Sequence, residues 1–100
     1  GLDAVYIGPA DLALSLGVAP RFDPVDPVVT DAIDHILARA KHHGKRAAMH
    51  NGSSEYALKM VEKGFDLVTV GSDARFLAAG AASAIAAFRQ GGSGAPKTGY

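Results

Sequence analysis

Three times in 100 residues, a short apolar run breaks at a glycine or a small polar loop and gives way to helical periodicity. The runs are Ala4–Gly8, Arg46–His50 and Asp66–Val70. Strands separated by helix-length segments cannot pair as tight hairpins; they need crossovers, and crossovers make parallel sheets. Three parallel strands alone leave two unpaired edges and two faces to cover. A complete (β/α)8 barrel takes about 250 residues. The pattern therefore predicts an α/β chain of three parallel βα units that form part of such a barrel. The neighbouring strands are expected from elsewhere in the protein or from other chains.

The local signals divide the chain further. Pro9 suits the first turn of a short helix over Ala10–Leu16, because its missing N–H would have no partner there, and Gly17 is a stop. Residues 18–27 hold Pro20, Pro24 and Pro27 and read as an irregular connection. Asp26-Pro27 is an N-cap followed by proline at the first helical position. From there Val29, Ala32, Ile33, Ile36, Leu37 and Ala40 form one apolar stripe, opposite Asp31, Asp34, His35, Arg39 and His42. Lys41, His42 and His43 suit the negative pole of that helix, and Gly44 ends it.

After the second run, Asn51-Gly52 reads as a turn. Ser53 or Ser54 then caps a helix to about Glu62, with Ala57, Met60 and Val61 inward and Gly64 as the stop. The last helix is expected over Asp73–Arg89, with Leu77, Ala81, Ile85 and Phe88 on one face. The domain is thus expected over 1–89, and GGSGAPKTGY reads by composition as a flexible tail, 90–100.

Charge and cysteine content narrow the function classes. Ten basic residues balance ten acidic ones, so no field favours nucleic acid or an anionic membrane. There is no cysteine, which removes disulfides and thiolate chemistry and fits a cytoplasmic protein. No apolar run reaches the roughly 20 residues of a membrane span. No secretory signal pattern is visible, and the start at Gly1-Leu2-Asp3, almost directly into a strand, looks like a cut through a longer protein.

Candidate chemistry lies where the strands end. In a parallel sheet the loops Pro9-Ala10-Asp11, His50-Asn51-Gly52-Ser53 and Gly71-Ser72-Asp73 fall on one side and can converge. Asp11 reads as a hard oxygen ligand for a divalent metal, beside backbone N–H groups that suit a carboxylate. It reads equally well as an acid that complements a helix start. His50 is a substrate contact, an acid–base group, or a histidine satisfied by the fold. Gly71-Ser72-Asp73 is either a phosphate cradle or a plain serine cap. His35, His42 and His43 lie on a polar helix face and read as surface residues. One acid and one histidine do not define a reaction.

Val5-Tyr6-Ile7-Gly8-Pro9-Ala10-Asp11-Leu12, with Gly44-Lys45 and the later Gly64-Phe65-Asp66-Leu67-Val68-Thr69-Val70-Gly71-Ser72-Asp73, resembles the metal-dependent (class II) pyruvate aldolases of the HpcH/HpaI family. These include 4-hydroxy-2-oxoheptanedioate and 2-dehydro-3-deoxyglucarate aldolases. The resemblance covers residues 1–89 and implies the last three βα units of a TIM barrel. It implies that Asp11 is a ligand of Mg²⁺, Mn²⁺ or Co²⁺, whose partner glutamate lies on the preceding strand, outside this chain. It also implies that the N–H groups of Ala10 and Asp11 bind the pyruvate carboxylate, and that His50 faces the aldehyde. The implied reaction is reversible cleavage of a 4-hydroxy-2-oxo acid to pyruvate and an aldehyde through a metal-stabilised enolate. Family members form oligomers in which the C-terminal helix packs on a neighbour, which implies a homo-oligomer here. The arginine and histidine that the family carries on early strands have no counterpart in the chain, so the segment alone is expected to be inactive.

Three other readings stay open at this point: a non-catalytic barrel segment that serves oligomerisation, a phosphate-binding barrel using the last two loops, and a citrate-lyase-like relative with an acyl-CoA substrate. Asp73 would repel a phosphate, and Gly-Pro-Ala-Asp favours the aldolases.

Overall fold

The fold is centred on β2, Arg46–Asn51, which lies between its two partners in a three-stranded sheet of order β1-β2-β3. β1 is Ala4–Ile7 and β3 is Leu67–Val70. Both pairings are parallel: Ile7 stands opposite Met49, Met49 opposite Val68, and His50 opposite Thr69. The helices are α1, Pro9–Ser15; α2, Pro27–His42; α3, Ser54–Lys63; and α4, Asp73–Arg89. The computed structural model describes residues 1–91, so the tail expected over 90–100 lies, beyond Gly91, outside the described residues.

Strand alternation decides which face is covered. Val5 and Ile7 of β1, Ala47 and Met49 of β2, and Val68 of β3 share one face; Ile7, Ala47 and Met49 belong to a single core cluster, and the half-buried Val5 and Val68 pack against it. That cluster includes Val29, Ile33, Leu37 and Ala40 of α2 and Met60 of α3. Met49 is 0% exposed and Ile33 is 1% exposed, so the centre of the core is where α2 meets the middle strand. The opposite face carries Tyr6, His50, Leu67 and Thr69, and there Tyr6 is 57% and Leu67 60% exposed. A sheet covered on one face, with two free edges, is the local condition of a barrel segment.

The helix termini follow their local chemistry. The Asp26 carboxylate accepts the Val28 N–H at 3.0 Å, and Ser53 Oγ accepts the Tyr56 N–H at 3.2 Å. Gly64 ends α3 at φ +116°, a left-handed conformation open to glycine, and the chain turns there so that Phe65 is buried.

Two expectations need correction. Asn51 is the last residue of β2 rather than the first of a turn; its side-chain amide donates to the carbonyls of Met49 and Thr69, so it bridges β2 and β3. Val61 is exposed, because the buried stripe of α3 runs through Ala57 and Met60 alone. The last helix forms over Asp73–Arg89 as expected, with Leu77, Ala81, Ile85 and Phe88 at helical spacing on an exposed face. No α4 residue is buried, and Phe88 is 84% exposed.

Asp66 ties the entry of β3 to the start of β2. Its Oδ2 accepts the Ala47 N–H and the Lys41 ammonium, both at 2.9 Å. The Ala47 N–H, then Lys41 and more distantly Arg46, hold the Asp66 carboxyl below its ordinary value. A depressed carboxylate adds stability above the unfolded-state pKa and loses it as pH falls through the folded one. Asp66→Asn is therefore expected to lower the melting temperature at neutral pH. The gap to wild type should close on acidification through and below the carboxylate range. A gap independent of pH would show that the ionised carboxylate is not the stabilising form.

Candidate functional site

At the C-terminal ends of the strands lies an open cleft of about 380 Å³, lined by Tyr6, Gly8, Pro9, Ala10, Asp11, Phe22 and His50. It brings together Ala10, Asp11 and His50, the three residues singled out in the sequence. Two elements carry them: the β1–α1 junction and the end of β2.

The junction is shaped by what its residues lack. Gly8 is the N-cap of α1 but has no side chain to cap with, and Pro9 has no N–H to satisfy. The Leu12 N–H closes on the Gly8 carbonyl at 2.9 Å, which leaves the N–H groups of Ala10 and Asp11 without a hydrogen-bond partner among the described residues. The Asp11 carboxylate lies back over Gly8: a Cβ added there would come within 3.1 Å of Asp11 Oδ2. A side chain at position 8 would therefore press on the Asp11 carboxylate and displace it by a few tenths of an ångström. Asp11 itself is exposed, so its carboxylate is accessible from the cleft.

His50 is held more tightly. Its Nδ1 is 2.7 Å from Thr69 Oγ1, and Thr69 Oγ1 is 3.3 Å from the Tyr6 hydroxyl. Phe22 meets its ring edge to face, with centroids 5.4 Å apart at 74°. Nε2 makes no hydrogen bond among the described residues.

Phe22 and Tyr6 escaped the sequence reading for different reasons. Tyr6 counts as one apolar residue of a strand until the sheet is built and its hydroxyl has a place. Phe22 lies in the proline-rich connection, whose path local rules leave open. That path is set by Asp23, which accepts the Gly52 N–H and the Ser53 hydroxyl, each at 2.7 Å. Tyr56 adds a third tie by donating to the Pro24 carbonyl at 2.8 Å. Burial, then the Asp23 and Asp34 carboxylates, push the Tyr56 phenol above its ordinary value and keep it a donor. Arg75 of α4 stacks over the Phe22 ring at 4.8 Å. An Asp directly before Pro24, with a Gly-Ser pair further along the chain, is the trace of this clamp in the sequence.

The loops considered for phosphate are committed to their own helices. Ser53 Oγ is bonded to Tyr56 and Asp23, Ser72 Oγ accepts the Arg75 N–H at 3.4 Å, and Asp73 accepts the Ala74 N–H at 2.8 Å. His35, His42 and His43 are exposed on α2 and its C-terminal end, apart from the cleft.

For a divalent cation the donor set is partial. Asp11 offers a hard carboxylate oxygen at an accessible position, which fits one place in an oxygen-rich shell. Among the described residues no three His, Cys, Asp or Glu side chains gather as a ligand group. Among them, too, no helix is long and apolar enough to cross a membrane.

Known proteins give this geometry a context. The chain is 44% identical over 86 residues to a hydroxypyruvate/pyruvate aldolase of Rhizorhabdus wittichii, covering 86% of this chain and 34% of that protein. It is 40% identical over 73 residues to a 5-keto-4-deoxy-D-glucarate aldolase of Salmonella paratyphi C, covering 73% of this chain and 28% of the relative. A crystal structure of an HpcH/HpaI aldolase/citrate lyase family protein from Burkholderia cenocepacia superposes with a TM-score of 0.81 at 32% identity. That superposition covers 89% of this chain and 34% of the solved one. No family model matches the chain. The chain thus spans about a third of the length of the proteins it matches. Sequence identity across most of the chain and a shared arrangement of parallel strands and helices agree: this chain belongs to the HpcH/HpaI aldolase family.

Proposed function

We propose that residues 1–89 are the last three βα units of a TIM-barrel aldolase and supply part of the site that cleaves a 4-hydroxy-2-oxo acid into pyruvate and an aldehyde. One observation carries this reading: a single cleft at the C-terminal ends of the strands presents an exposed Asp11 carboxylate, the free N–H groups of Ala10 and Asp11, and the His50 ring. The names of the relatives, a hydroxypyruvate/pyruvate aldolase and a 5-keto-4-deoxy-D-glucarate aldolase, support chemistry on 2-oxo acids.

Each group has a task that its chemistry suits. The paired N–H groups bind the substrate carboxylate, the anion that two adjacent unpartnered donors accept best. Asp11 is one ligand of a divalent cation, and the remaining protein ligand comes from outside this chain. When bound, such a cation supplies Lewis-acid stabilisation of the negative charge that develops on the keto oxygen. In the cleavage direction the bond between C3 and C4 breaks, the 4-hydroxyl loses its proton as it becomes the aldehyde carbonyl, and the electron pair passes to C3. Protonation of C3 completes pyruvate. The base for the hydroxyl proton lies outside this chain, and His50 contacts the aldehyde end.

Asp11, with the free N–H groups beside it, favours this reading over a phosphate-binding barrel, whose loops here are occupied by their own caps. The exposed apolar face of α4 supports a homo-oligomer, because Phe76, Leu77 and Phe88 need cover from outside the described residues.

One experiment tests the proposal. The intact protein and the 100-residue chain are compared for pyruvate release from a 4-hydroxy-2-oxo acid, with and without Mg²⁺ or Mn²⁺. The intact protein should turn over with metal and stop with chelator, and light scattering should give it a mass above one subunit. The chain alone should bind Mg²⁺ weakly and release no pyruvate. Robust release by the chain alone, or turnover by the intact protein that chelator leaves unchanged, would overturn the assignment.

A further inference from the structure

The direction of the hydrogen bonds around His50 decides what the cleft receives. A neutral imidazole has one N–H donor and one bare acceptor nitrogen. Thr69 Oγ1 sits between the ring and Tyr6, 2.7 Å from His50 Nδ1 and 3.3 Å from the Tyr6 hydroxyl. Its hydroxyl carries a single proton. Three arrangements fit: Tyr6 donates to Thr69 and Thr69 to Nδ1; Nδ1–H donates to Thr69 and Thr69 to Tyr6; or Tyr6 and Nδ1–H both donate to the Thr69 oxygen, which leaves the threonine proton without a partner among the described residues and the ring without a bare nitrogen on this side.

The first direction is favoured by acidity. A phenol is a better donor than an aliphatic alcohol, and the bare Nδ1 is the strongest acceptor of the three. The short contact also falls at the ring, where the threonine proton meets that acceptor. Phe22 packs on the ring edge to face. The three residues come from three strands, yet all sit on the face that the helices leave uncovered, and Tyr6 and His50 line the cleft itself.

We infer that Thr69, with Tyr6 behind it, is a positioning residue that holds His50 as the Nε2–H tautomer, so that the cleft receives a hydrogen-bond donor. A donor there recognises a substrate oxygen, either the aldehyde carbonyl or the 4-hydroxyl, and does not accept a proton. The inference deepens the aldolase reading and rests on it for the identity of that oxygen; the tautomer itself does not.

Long-range proton–nitrogen NMR of the intact protein, at a pH where the ring is neutral and with His50 assigned by its loss in His50→Gln, reads the tautomer directly. Nδ1 should have the shift of a bare nitrogen and Nε2 that of a protonated one. In Thr69→Val, a change of nearly equal volume, this pattern should be lost to a tautomer mixture. KM for the aldehyde should rise about fivefold while kcat changes less, as expected for one ordinary hydrogen bond. Thr69→Ser should restore both readouts. A wild-type spectrum with Nδ1 protonated overturns the inference, whether or not any variant folds. So does a Thr69→Val protein with unchanged nitrogen shifts and unchanged KM. If the intact protein cleaves no 4-hydroxy-2-oxo acid, the aldolase reading falls, while the wild-type spectrum still decides the tautomer.

Discussion

Asp11→Ala in the intact protein should lower metal-dependent kcat/KM by about a hundredfold or more, the scale on which removal of one charge-stabilising group acts. Added Mg²⁺ or Mn²⁺ should recover little of it, because the lost group is a ligand rather than a weak secondary contact. The competing role for Asp11, an acid that complements the start of α1, predicts something different. Such an acid adds about 0.3–1 kcal/mol to stability and nothing to turnover. α1 is also only 7 residues long, which leaves little dipole to complement. Calorimetry and steady-state kinetics on one preparation separate the two. Unchanged activity in metal-replete buffer would sink the ligand assignment, and a lowered melting temperature with unchanged turnover would establish the capping role in its place.

Met49→Ala should have the largest effect on stability. The side chain is 0% exposed on the middle strand, inside the cluster that joins Ile7, Val29, Ile33 and Met60. Truncation of a buried Met removes its transfer free energy and leaves a cavity, at about 2–5 kcal/mol. Domain stabilities are only about 5–15 kcal/mol, so the loss is a large share. Urea unfolding should show a lower midpoint with an unchanged slope. Leu58→Ala is the control: Leu58 is 64% exposed on α3, and the same change there should stay within about 0.5 kcal/mol. Equal losses at the two positions would show that the core is not centred on β2.

These two predictions draw on different depths of the sequence. Met49 follows from position: a short run of small and apolar residues between helical segments is the middle of something, and alternation puts Met49 on the same face as Ala47. Asp11 follows from the break after Ile7, since only a strand end places an isolated carboxylate at a rim. Helix limits were legible for the same reason. Asp26 before Pro27, Ser53 before α3 and Gly64 after it each act on hydrogen bonds within a few residues of themselves.

Asn51 shows where such reasoning ends. Asn-Gly is a strong turn signal when only neighbours compete. In the fold, the Met49 and Thr69 carbonyls offer the Asn51 amide two partners, and the residue is drawn into the strand and fully buried. Its Oδ1 finds no partner among the described residues. The α4 stripe marks a different limit. Spacing defines its apolar face, and only the structure shows that this face is left exposed among the described residues.

By itself, the sequence determined three βα units, their order, their caps and stops, and the rim that carries Asp11 and His50, because each depends on propensities and hydrogen bonds that act over a few residues. Only the tertiary structure decided what surrounds those two side chains. Tyr6 and Thr69 are 63 positions apart, and Asp23 and Ser53 are 30 apart. Strand register and a clamped loop bring such groups within hydrogen-bond reach, and both are fixed by the packing of the whole sheet rather than by any neighbour in the chain.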